Sequence, residues 1–156
     1  MSDFTAADVA KLREMTGAGL MDCKKALIEA KGKLDLAVDI LRKRGVASAA
    51  KKAGREANEG MIVQYIQPGS RIGILVEINC ETDFVARNEN FRAFCDDVAK
   101  KLAANPKADL EADRVAQVAK IGENIVIRRF VRYELGEGIE KRSEDFAAEV
   151  AKTLKG

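Results

Sequence analysis

The residues of this chain with the means to do covalent chemistry are few, and they meet at one place. Cys80-Glu81-Thr82-Asp83 alternates a thiol and a hydroxyl with two carboxylates. A thiol nucleophile needs a neighbour that ionises it, and histidine is the usual one. The 156 residues contain no histidine. Ser-His-Asp and Cys-His arrangements, histidine general bases and histidine-ligated metals are excluded together. An enzyme working through Cys80 or Cys95 with Glu81 or Asp83 would need an unusual base. The cysteines, Cys23, Cys80 and Cys95, are odd in number and lack C-x-x-C spacing. Free thiols in a reducing compartment are expected, with no disulfide framework, zinc site or cofactor.

The elements around this stretch give it a different use. Ile72-Gly73-Ile74-Leu75-Val76-Glu77-Ile78 before it is an apolar, β-branched run. After it, Phe91, Phe94, Cys95, Val98 and Leu102 recur at three- and four-residue steps, which predicts a helix. Thr82, Asp83 and Phe84 thus occupy a strand-to-helix corner, a place from which a scaffold aims side chains outward. One reading makes Asp83 the cap of the helix and Phe84 a staple to the core. The other turns the corner toward a partner.

Upstream, residues 1–45 predict three short helices. Thr5 with Asp8 caps the first, Gly17 and Gly19 break it, Leu20, Cys23 and Leu27 line the second, and Gly32 stops that one. Ala37, Val38 and Leu41 line the third, with Gly45 as its terminating residue. So small a core suits a docking head. Residues 46–60, rich in alanine and lysine, predict a helical connector. Residues 61–135 form the body: a hairpin turning at Pro68-Gly69-Ser70, a central covered return strand, two helices and a third strand, Ile125 to Tyr133. Alternation would put Val126, Arg128, Phe130 and Arg132 of that strand on one face. Such a basic-aromatic face is an RNA-binding pattern, opposed here by 27 basic against 25 acidic residues and by the lack of an RNP motif. Residues 136–156 end in a helix with Ser143 as cap and Phe146, Val150 and Leu154 in one stripe. The fold class is α+β. No apolar run reaches the ~20 residues of a membrane span and no signal peptide opens the chain, so a cytoplasmic location is expected.

Four segments in this order are specific together. Thr16-Gly17-Ala18-Gly19 with Met21-Asp22-Cys23-Lys24-Lys25-Ala26-Leu27, then Ala49-Ala50-Lys51-Lys52-Ala53, then Thr82-Asp83-Phe84-Val85-Ala86-Arg87-Asn88, then Ile121-Gly122-Glu123-Asn124-Ile125, resemble bacterial and organellar translation elongation factor Ts. The resemblance implies a guanine-nucleotide exchange factor for elongation factor Tu, binding its GDP-bound and nucleotide-free forms. It implies a three-helix head similar to ubiquitin-associated domains, with Lys24, and Lys52 behind it, as contacts. It implies a core with a three-stranded antiparallel sheet, and a partner-binding corner of Thr82, Asp83, Phe84 and Val85 with Ile121 and Gly122 beside it. Phe84 would wedge between helices of Tu near the magnesium site, and the C-terminal module would touch the GTPase domain. Long family members carry two related core halves. Here the Ile121-to-Ile127 segment runs almost directly into Phe130 to Gly136, so a short, single-core form is expected, completed as a homodimer. The competing expectation is a non-catalytic module that binds a partner through the head alone. Neither reading involves an enzyme, direct nucleic-acid binding or a membrane.

Overall fold

The computed structural model describes residues 3–140 and 146–155. Its elements run α1 (Ala6–Thr16), α2 (Leu20–Glu29), α3 (Leu34–Lys52), β1 (Glu59–Ile66), β2 (Ile72–Cys80), α4 (Asp83–Ala86), α5 (Glu89–Ala104), α6 (Glu111–Ile121), β3 (Val126–Glu134) and α7 (Phe146–Leu154). The architecture is the expected α+β: a three-helix bundle, a three-stranded antiparallel sheet packed by helices, and a C-terminal helix.

Local chemistry accounts for the first helices. The Thr5 N–H donates to the Asp8 carboxylate at 2.8 Å and the Asp8 N–H donates to Thr5 Oγ1 at 3.3 Å, a reciprocal cap. Gly17 ends α1 at φ 67°, where a side chain would be strained. Val9, Leu12, Cys23, Ala26, Leu27, Ala30, Ala37 and Leu41 form a small core of their own. Leu20 departs from expectation and is exposed, as are Met15 and Met21. Helical side chains lean toward the N-terminus, so the first residue of α2 projects beyond the bundle.

The third helix also departs from expectation. It continues through Gly45 to Lys52. One mid-helix glycine costs only about 1 kcal/mol. The Ala-Lys run beyond it favours helix, and packing of α3 on α6 offsets the rest. Ala49 is buried in the body core, which joins head to body along one helix.

In the sheet, β2 lies between β1 and β3, both antiparallel to it. The hairpin closes where the Ser70 N–H donates to the Gln67 carbonyl at 3.0 Å. One face is covered by α5, whose Phe91, Phe94, Cys95, Val98 and Leu102 meet Val63, Ile74, Val76 and Ile78. The other face is open. Ile62, Ile66, Leu75, Val131 and Tyr133 are exposed there, so β2 is central but covered on one side only. Strict alternation in β3 fails at Arg128. Ile127 pairs with Ile78 and Arg129 with Glu77, leaving Arg128 as a bulge. The extra residue lets two consecutive arginines reach one carboxylate: Arg128 and Arg129 both donate to Glu77. Arg132 donates to the Ala103 carbonyl. Arg128 and Arg132, the two arginines of the basic-aromatic face expected from the sequence, are thus both engaged within the chain.

The last helix, α7, leaves Val150 and Leu154 exposed. Ser143, its expected cap, lies outside the described residues. Among the described residues, no helix is long and apolar enough to cross a membrane.

Candidate functional site

The corner after β2 consists of a bend at Glu81, the extended residue Thr82 and one turn of helix. Thr82, not Asp83, is the cap: its Oγ1 accepts the Val85 N–H at 3.3 Å. Asp83 occupies the first turn and pairs with Arg87 on the surface. Phe84 does not staple the helix to the core, because the residue is 80% exposed. Val85 takes the inward place, at 7%, within the body core. A four-residue turn puts adjacent side chains roughly 100° apart, so seating Val85 inward forces Phe84 outward. Phe84 is among the most exposed large apolar residues of the described chain.

A polar clasp holds this corner. Glu123 Oε1 accepts the backbone N–H groups of Glu81 and Thr82, each at 3.1 Å, and Glu123 Oε2 accepts the Thr82 hydroxyl at 2.7 Å. In return, Glu81 Oε2 accepts the Asn124 N–H at 2.7 Å. The buried Asn124 side chain donates to the Arg55 carbonyl at 2.9 Å, and the Arg55 guanidinium lies 3.6 Å from Glu81. The exits of α3, β2 and α6 therefore converge behind Phe84. Gly122, at φ 83°, closes α6 and redirects the chain so that Glu123 faces the corner.

The Cys80 thiol donates to the Thr82 carbonyl at 3.2 Å. Burial, helped by the nearby Glu123 carboxylate, pushes its pKa up to about 11. Burial likewise pushes Cys95 up to about 12. Both thiols stay protonated at neutral pH, the reverse of an activated nucleophile. Among the described residues, no three acidic or thiol side chains group to hold a metal ion.

The residues singled out in the sequence fall into three places. Thr82, Asp83 and Phe84 share the corner, and Ile121 and Gly122 join them through the Glu123 bonds. Val85 belongs to the core beneath. Lys24 is exposed on α2, and Lys52, at the end of α3, donates to Ser48 Oγ at 3.2 Å. The glycine turn of the head also approaches α6: a methyl added at Gly17 would lie 3.9 Å from Lys120 Cδ. The head turn thus adjoins the end of α6, and the Glu123 bonds connect that end to the corner. Pattern reading named Glu81 as a candidate carboxylate and Glu123 and Asn124 within a motif, but missed the clasp that they form with Arg55. Two carboxylates at strand and helix exits were visible, but no periodicity shows that they grip each other's backbone.

The elongation factor Ts family model matches residues 81–142, from the corner through β3. Elongation factor Ts of Desulforamulus reducens is 41% identical, with 99% of this chain and 100% of the relative covered. That of Desulfitobacterium hafniense is 42% identical over 99% of each chain. That of Geobacter metallireducens is 45% identical, covering 95% of this chain and 97% of the relative. The first alignment runs over 216 positions against the 156 residues here, so part of that relative has no counterpart in this chain. Identity at this level over nearly the whole chain, joined to the match across the corner itself, places it: the chain belongs to the elongation factor Ts family.

Proposed function

We propose that this protein is the exchange factor that promotes GDP release from elongation factor Tu in the cytoplasm. The three-helix head, residues 1–45, docks on the GTPase domain through Lys24 and its surroundings, and Lys52 in the connector, residues 46–60, adds a contact. The body, residues 61–135, then brings Phe84 between helices near the magnesium and nucleotide site. Thr82, Asp83, Ile121 and Gly122 border the wedge, and Val85 supports it from beneath. Residues 136–156 contact the GTPase domain as a C-terminal module. The observation that carries this reading is the outward Phe84 ring on a turn whose next residue is locked into the core.

No bond is made or broken in such a reaction. A factor that binds nucleotide-free Tu more tightly than GDP-bound Tu must, by linkage, weaken GDP binding by the same factor. An aromatic side chain suits the task, because it brings large contact area to one partner state. Magnesium bridges phosphate oxygens to the GTPase, so moving its ligands loosens the nucleotide as well.

The open sheet face supports a second copy of this chain as its cover. Ile62, Ile66, Leu75, Val131 and Tyr133 offer it an apolar centre, flanked by the Glu77, Arg128 and Arg129 ion pairs. Sedimentation of wild type and Leu75→Lys tests this: a dimer lost in the variant is expected, and a wild-type monomer at micromolar concentration rejects it.

Release of a fluorescent GDP from Tu tests the main reading. The wild type should accelerate release, and Phe84→Ala should lose roughly 30-fold or more, the scale of an interface hot spot, with an unchanged melting temperature. Acceleration by both would move the mechanism to the head and to Ile121 and Gly122. Retention of Tu by the head alone, with the body dispensable, would favour the docking-module reading.

A further inference from the structure

We infer that Glu123 is the positioning residue of the corner: its carboxylate sets the direction of the Phe84 ring without touching the partner. This rests on the exchange reading above for its consequence, but not for its geometry.

A one-turn helix such as α4 has no stability of its own, since its nucleation cost is unrecovered. Its direction is therefore set by its ends. At the C-terminal side the Val85 side chain is held in the core. At the N-terminal side everything passes through Thr82. Its hydroxyl proton goes to Glu123 Oε2 at 2.7 Å. That leaves an oxygen lone pair for the Val85 N–H at 3.3 Å. The two bonds form a directed chain from backbone to hydroxyl to carboxylate. Without the carboxylate the hydroxyl is free to rotate, and its lone pair is no longer committed to the cap.

The second oxygen fixes the backbone before the turn. Glu123 Oε1 takes two successive N–H groups, of Glu81 and Thr82. A carboxylate accepting from consecutive amides constrains the plane of the intervening peptide, and charge-assisted bonds of this kind are roughly twice as strong as neutral ones. Phe84 follows two residues later. Glu81 answers with the Asn124 N–H, so Glu123 is held by the backbone of its own neighbour. Asp83, by contrast, pairs with Arg87 within the turn and ties it to no other element.

The test compares Glu123→Gln and Glu123→Ala with the wild type in two measurements. The first is amide hydrogen exchange of the isolated protein. Exchange at Thr82 and Val85 should rise at least about tenfold in Glu123→Ala, and less in Glu123→Gln, while Val76 in β2 stays protected. Unchanged protection at Thr82 and Val85 overturns the positioning role, whatever Tu does. The second is GDP release at increasing factor concentration. The maximal rate should fall about tenfold, while the half-saturating concentration, set by the docked head, changes less than twofold. The Phe84→Ala/Glu123→Gln pair should be no slower than Phe84→Ala alone. Additive losses, or a change in half-saturation only, would overturn the inference by placing Glu123 in a separate contact. If the wild type does not accelerate release, the exchange reading fails, and hydrogen exchange alone decides the clasp. Glu123→Gln keeps the side-chain volume, so if Glu123→Ala does not fold, both measurements are decided on Glu123→Gln: raised exchange at Thr82 and Val85 supports the inference and unchanged exchange overturns it.

Discussion

The head and the corner present side chains outward by opposite means. The head is held mainly by apolar packing: Leu12, Cys23, Ala26 and Leu27 are fully buried among three helices, and Met15, Leu20 and Met21 are exposed beside them. Packing of this kind is non-directional; it defines a surface and tolerates small rotations. The corner is held by directed bonds to Glu123, Glu81, Asn124 and Thr82, and it presents a single ring. A docking surface needs area, whereas a wedge needs aim. Each region has the kind of support that its proposed task requires.

That contrast breaks most readily at Leu27. Leu27→Ala removes a fully buried side chain from a very small core and should cost about 2–5 kcal/mol. Calorimetry should show the head transition falling, with the body little changed; a body that falls equally would mean that the two are one cooperative unit. Alkaline pH attacks the other side. The buried Cys80 and Cys95 thiols bind their protons more tightly in the folded chain than the ordinary value of 9.0. Unfolded thiols therefore ionise first as pH rises. The stability they contribute is complete below pH 9 and is lost progressively toward pH 11 and 12. Denaturant titrations across this range should show a declining midpoint, and Cys95→Ala should flatten the decline. Lys24→Ala should weaken docking on Tu by about 1 kcal/mol, near the ordinary value of an exposed charge contact, without moving the melting temperature. Smallest is Gly45→Ala at the junction. An added methyl meets Val115 and Ala119 at 3.8 Å, ordinary contact distance. Better helix propensity should raise stability by about 0.5–1 kcal/mol. A fall would mean that α3 needs to bend there.

How much of this was legible in the sequence depends on the range of the interaction involved. The Thr5–Asp8 cap, the Pro68-Gly69 turn and the α5 stripe depend on residues a few positions apart, and each stands where its pattern predicts. The order of the four motif segments carried the family. Gly45 was misjudged because its fate is decided by α6, far along the chain. The β3 alternation failed because a bulge leaves no mark in residue type. The pairing of Arg128 and Arg129 with Glu77 shows it only after folding. The corner itself was legible, but its inward and outward residues were not. Either Phe84 or Val85 could fill the core, and the grip of Glu123 on Thr82, 41 positions away, helps to decide it.

The continuous α3 has a consequence for how the two regions would act together. Its 19 residues make a rod of about 28 Å, and the segment that leaves it is tied at Arg55 to the corner by Asn124. A flexible tether would let Phe84 explore a wide volume after the head engaged, diluting it about its target. A rod with a fastened end raises the effective concentration of the ring at one distance and lowers it elsewhere. The spacing between the two contacts then acts as a gauge. A GTPase whose head site and nucleotide site lie at another separation would be bound and not emptied, so selectivity would reside in a length.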